Sequence, residues 1–126
     1  MLALDYGSAR CGCAVSDPTG TLATPIEAIE RPDTRRGMNA VVGLVRARGI
    51  KKIVVGLPVG LSGADTQQTM AARDFAARLG SRVSVPVDLY DERFTTSIAA
   101  ARGGEGSEDS RAAAVLLEDY LARHAS

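Results

Sequence analysis

Residues 2–17, LALDYGSARCGCAVSD, hold two short apolar runs separated by a tight polar stretch. Leu2 to Tyr6 reads as a strand that Gly7 stops. Cys11 to Ser16 reads as a second strand, with small and apolar residues alternating. The few residues between them allow a hairpin. The first run closes on an acid, Asp5, with Arg10 in the turn beside it. A single acid in a turn is most often solvated and idle, so the rest of the chain must decide what this one does.

Working outward, Asp17-Pro18-Thr19-Gly20 is a turn signal. Thr21 to Ile29 reads as a third strand, at an edge or a bulge because it contains Pro25. Asp33-Thr34 can cap a helix from about 35 to 48, closed by Gly49, with Val41, Val42, Leu44 and Val45 on its apolar stripe. Lys52 to Val55 is a continuous apolar strand, as expected for one buried on both faces, and Gly56-Leu57-Pro58 ends it. A second helix is predicted over Ala64–Leu79, with Met70, Phe75 and Leu79 inward, and a fifth strand over Val83–Tyr90. Thr95 or Thr96 can cap a short helix to about Arg102, and a last helix runs from Glu108-Asp109-Ser110 to Arg123. Three meandering strands followed by α/β alternation predict an α/β fold: one mixed sheet with helices on its faces, as a single domain over 1–126.

Composition sets the bounds. Apolar residues make up 45% and charged residues 24%, an ordinary soluble globular balance. No apolar run approaches the ~20 residues that span a bilayer. The first residues enter a strand at once, without the basic-then-apolar pattern of a secretory signal, so a cytoplasmic protein with no membrane partner is expected. Lys plus Arg and Asp plus Glu balance at 15 each, which argues against a strong non-specific nucleic-acid binder but allows a local basic patch. Cys11 and Cys13 read as reduced thiols without chemistry. The one histidine, His124, is in the C-terminal tail, so a zinc site lacks ligands.

Acids gather at element ends: Asp5 after the first strand, Asp91 and Glu92 after the fifth, and Glu108 and Asp109 at the start of the last helix. In open α/β sheets, sites form beyond the carboxyl ends of strands. Carboxylates without histidine or thiolate partners suit Mg²⁺ or Mn²⁺. Two such ions can activate water and stabilise the leaving oxygen in phosphodiester cleavage. Taken singly, each acid has a plain alternative, Asp109 as a first-turn helix acid and Asp91 as a turn residue.

LALDYGSARCGCAVSD, IVVGLP, LYDERFTT and EDSRAAAVLLEDYL, in this order and at these spacings, resemble the YqgF/RuvX family across nearly the whole chain. These are small bacterial RNase H-like proteins described as pre-16S rRNA nucleases or Holliday-junction resolvases. The resemblance implies an RNase H-like fold with a five-stranded sheet ordered 3-2-1-4-5. It implies a catalytic and metal-binding trio of Asp5, Glu92 and Asp109. It also places Arg10 and Arg93 beside those acids. One departure is the segment ARGGEGSED, shorter and more acidic than the family's basic loop, which makes Glu108 a second possible ligand.

Around that trio, Arg10 and Arg93 can bind phosphate or hold an acid by a salt bridge. Thr95 and Thr96 can cap a helix or bind phosphate there. Gly7 permits close backbone approach. Tyr6, Tyr90 and Phe94 lie near the expected site, with core roles favoured for at least two of them. The expected function is a metal-dependent endonuclease on structured nucleic acid, foremost at the 5′ end of pre-16S rRNA. Junction resolution is the same chemistry on branched DNA, where a homodimer rather than a monomer would match a two-fold substrate. A catalytically weak binding protein with the same fold is the other alternative. An actin-like ATPase, hinted at by Asp5-x-Gly7-Ser8, needs two domains and is disfavoured by this length.

Overall fold

The structure, a computed structural model, describes residues 1–17, 19–20, 22–57, 67–91 and 108–124, with backbone alone for 108, 109 and 124. The opening stretch forms the predicted hairpin. Strand β1 is Leu2–Asp5 and β2 is Arg10–Ser16, antiparallel with Leu4 opposite Cys13 and Asp5 opposite Gly12. Gly7 is required in the connection, because a Cβ there would lie 2.6 Å from the Arg10 carbonyl oxygen. The Asp17 turn closes the next hairpin: Gly20, at φ +71°, donates its N–H to the Asp17 carbonyl at 3.0 Å.

Strand β3, Ala23–Glu30, pairs with β2 and forms the sheet edge, which is where Pro25 is tolerated. Helix α1, Arg35–Ala47, is capped by Thr34, whose Oγ1 accepts the Gly37 N–H at 3.1 Å. Gly49, at φ +62°, closes it. Strand β4, Ile53–Leu57, is fully buried and parallel to β1; α2 is Gln67–Arg82; β5, Val87–Asp91, is parallel to β4. The last helix, α3, is Glu108–His124. The sheet order is β3-β2-β1-β4-β5, a five-stranded mixed sheet as expected.

Alternation divides the strands between two cores. Leu2, Leu4, Cys13, Ile53, Val55 and Leu57 face α1 and α2, where they meet Val41, Val45, Phe75 and Leu79. Ala3 and Ala14 face α3, where they meet Ala113, Leu116 and Leu117. Both cysteines are buried free thiols.

Three expectations are corrected. Met70 is 63% exposed rather than inward, because the buried stripe of α2 runs through Thr69, Ala72, Phe75, Ala76 and Leu79 and leaves position 70 off it. Strand β5 starts at Val87 rather than Val83; Pro86 has no N–H to give the ladder, and its carbonyl accepts from Ile53 at 3.0 Å. The second helix extends three residues past Leu79, to Arg82. The short helix expected over 95–102 lies outside the described residues. Among the described residues, no helix is long and apolar enough to cross a membrane.

Candidate active site

Parallel pairing sends the carboxyl ends of β1, β4 and β5 to one edge of the sheet. Asp5 closes β1 there, half-buried, and shares the parity of Ala3, so it belongs to the α3 face. Its neighbours across both ladders are glycines, Gly12 on β2 and Gly56 on β4. Residues directly opposite in a sheet share a face, so neither cross-strand neighbour adds a side chain to the row of Asp5. Beyond Gly56 in the same row comes Tyr90.

Helix α3 starts at this end and is pinned to the sheet along its length. The register of β2 against β3 shifts between Cys11 and Cys13, and the Cys13 N–H donates instead to Ser110 Oγ at 3.2 Å. Ser110 is fully buried. Cys13 is the ladder partner of Leu4, so the first turn of α3 lies one residue from the row of Asp5. Farther along, Glu118 accepts the Ala23 N–H at 3.3 Å, and the Tyr120 hydroxyl donates to Asp88 at 2.8 Å. The Tyr90 hydroxyl donates to Asp119. The helix is thereby fixed to both edge strands, with its positive dipole end toward Asp5. Asp109 precedes Ser110 in that first turn; its backbone is described and its side chain is not.

The tyrosines of the region are structural, as favoured from sequence. Tyr6 is buried, packs on Phe75 at 5.0 Å between ring centroids, and donates its hydroxyl to Asp33. Burial first, and that hydrogen bond second, raise its pKa above the usual tyrosine range. Burial and the Asp119 hydrogen bond push the Tyr90 phenol up to about 12. Lys52, just before β4, sits 5.1 Å from the Tyr120 ring centre and 3.8 Å from Asp88, and the Tyr120 contact raises its pKa.

Gly7 and Arg10 thus stand in the loop and strand start beside Asp5, and Asp91 ends β5. Glu92, Arg93, Thr95 and Thr96 lie outside the described residues. Among the described residues, no three His, Cys, Asp or Glu side chains cluster as a metal site. Sequence reasoning missed Ser110, whose partner is 97 positions away, and the Tyr6–Asp33 contact. It read Gly56 as part of the turn that ends a strand, and did not see that Gly12 and Gly56 both pair with Asp5.

The geometry has relatives. A family model described as "RuvX: Holliday junction resolvase" matches residues 1–123. A "Putative pre-16S rRNA nuclease" of Koribacter versatilis is 40% identical over 133 residues, covering 98% of this chain and 86% of that protein. Proteins of the same description from Maridesulfovibrio salexigens and Thermobifida fusca are 37% and 41% identical, covering 98% and 95% of this chain and 98% and 85% of their own. Among solved structures, "T. thermophilus RuvC in complex with Holliday junction substrate" superposes with a TM-score of 0.65 at 15% identity, covering 99% of this chain and 97% of that one. The fold is RuvC-like, of the RNase H class.

Proposed function

The chain belongs to the RuvX family, and from that premise we propose that it is a metal-dependent endonuclease of structured nucleic acid, acting at the 5′ end of pre-16S rRNA. The observation that carries this reading is Asp5 at the end of a buried strand, flanked by Gly12 and Gly56, beside the N-terminal turn of α3. A rigid strand holds a carboxylate to the tolerance catalysis needs, and the flanking glycines add no side chain of their own to its row.

Asp5, Glu92 and Asp109 are the proposed ligands, with Glu108 as the alternative to Asp109. On β5, Asp88 and Tyr90 belong to the α3 face, and Glu92 is the next residue of that parity in the sequence. The donor chemistry fits Mg²⁺ or Mn²⁺: both thiols belong to the opposite core and the histidine to the far end of α3, which leaves oxygen donors near Asp5. A bound ion supplies a water of lowered pKa and neutralises charge on the leaving oxygen. Arg10 and Arg93 orient the phosphate, Gly7 lets the backbone approach it, and Thr95 and Thr96 offer hydroxyls to it.

The test is cleavage of a pre-16S rRNA fragment and a four-way DNA junction with Mg²⁺ or Mn²⁺. Asp5→Asn should cost at least ~100-fold in rate, the upper end of what loss of even an outer-shell metal partner costs. Its thermal midpoint should stay near that of the parent. Undiminished cleavage by Asp5→Asn would remove the mechanism. Rescue of rRNA maturation in cells by that variant would favour a binding protein without chemistry. Cleavage confined to the junction, by a two-fold dimer, would move the substrate to branched DNA, in line with the description of the family model.

A further inference from the structure

The total charge is zero, but the charge is unevenly spread. Between Asp33 and Asp65 stand Arg35, Arg36, Arg46, Arg48, Lys51 and Lys52, and no acid. Helix α1 and its cap hold the four arginines. Arg35, Arg36 and Arg46 are exposed, and none of their guanidinium groups has a partner among the described residues. Between them the outward face carries only Asn39, Ala40, Gly43 and Ala47, all exposed.

Gly43 sits in mid-helix, where glycine costs stability relative to alanine. Among the described residues nothing requires it, since a Cβ there would meet none of their atoms within 4 Å. The helix face is thus a strip of cations with backbone left bare at its centre, bordered on the β3 side by Glu27 and Glu30, which line one groove with Arg36, Ala40 and Arg48. A second copy is a poor occupant, because it would set one acid-free arginine helix against another. A polyanion that approaches the backbone closely is a good one.

The strip begins at the end of the sheet that carries Asp5. Arg31 donates its N–H to the Ala9 carbonyl, in the loop before Arg10, at 2.9 Å. Arg10 faces Glu30 in the ladder, and Tyr6, next to Asp5, is bonded to Asp33. From there α1 runs ~20 Å, long enough to follow several phosphates of one strand.

We propose that the outward face of α1 is a second nucleic-acid contact, gripping the sugar–phosphate backbone of the segment that leads away from the Asp5 end. The position of that segment rests on the nuclease reading; the affinity of the strip for a polyanion does not. It also answers how a neutral chain with a short acidic segment in place of a basic loop holds its substrate.

The experiment is fluorescence anisotropy with a labelled RNA duplex and a labelled DNA duplex, in EDTA, over a range of salt. Arg36→Gln/Arg46→Gln is compared with Arg73→Gln/Arg123→Gln, which removes the same charge from α2 and α3. The α1 pair should weaken binding about tenfold and lower the salt slope by about 1.8, as loss of two duplex phosphate contacts requires. The control pair should do neither. Gly43→Leu should raise the thermal midpoint while weakening binding. Equal effects of the two pairs, or full binding by Gly43→Leu, would overturn the proposal. The arm that loses more identifies RNA or DNA as the favoured backbone. Because the binding assay holds no metal, its result stands apart from cleavage: a protein that binds through α1 yet cleaves nothing when Mg²⁺ or Mn²⁺ is supplied would defeat the nuclease reading alone.

Discussion

The two faces of the sheet come from alternate residues of the same strands and are packed in opposite ways. Toward α1 and α2 the strands present Leu2, Leu4, Ile53, Val55 and Leu57, and the helices answer with Val41, Phe75 and Leu79. Toward α3 they present Ala3, Ala14 and Val54, then the row of Gly12, Asp5, Gly56 and Tyr90. The first face is filled by strand side chains. The second is thinned around Asp5, and much of its bulk comes from the helix, as Leu116, Leu117 and Tyr120. Small strand residues next to Asp5 let α3 lie close, so the bulkiest strand packing and the candidate chemistry lie on opposite sides of one layer.

That division can be broken from either side. Phe75→Ala, on the filled face, should cost ~3–5 kcal/mol in urea unfolding, the usual loss for a buried aromatic. Cleavage per folded molecule should stay at the parent level. A matching loss of activity at full foldedness would mean that the faces are not independent.

Ser110→Ala, on the thinned face, leaves the buried Cys13 N–H without its acceptor and should cost about 1–3 kcal/mol. It should also slow cleavage, because it loosens the end of α3 that carries Asp109. A stability loss with an unchanged rate would separate the pin from the chemistry.

The smallest effect is in alkali. Tyr90, held neutral by burial and by Asp119, is pushed up from 10.0 to about 12. A raised pKa contributes stability fully present below the unfolded value and lost as pH rises through the folded one. Stability should therefore decline from about pH 10 toward pH 12, and less steeply in Tyr90→Phe. Identical alkaline profiles for the two proteins would show that the α3-side tyrosine contributes nothing to the difference between the faces.

The first hairpin and the two ends of α1 were legible in the sequence because their causes are local. Gly7 stops β1 and leaves Asp5 at its end; Thr34 and Gly49 bound α1. Pro25 announced an edge strand. What escaped depends on partners distant in sequence. Ser110 is an unremarked helix residue until the ladder shift at Gly12 frees an N–H for it. Lys52 is a surface lysine until Tyr120 arrives from α3. Gly12 and Gly56 are ordinary strand glycines until register sets both beside Asp5. Pattern gives each residue its face, but only the assembled sheet gives it neighbours.

The Ser110 pin has a consequence for how such a chain can vary. Among the described residues, helix α3 is held to the sheet by its own side chains, at Ser110, Glu118 and Tyr120. A helix held in this way can stay docked while the sequence that leads into it changes in length. Insertions, deletions and changes of charge there can be sampled while the first turn of α3 stays docked. The anchor makes the preceding stretch an adjustable accessory, and the acidic ARGGEGSED is one setting of it.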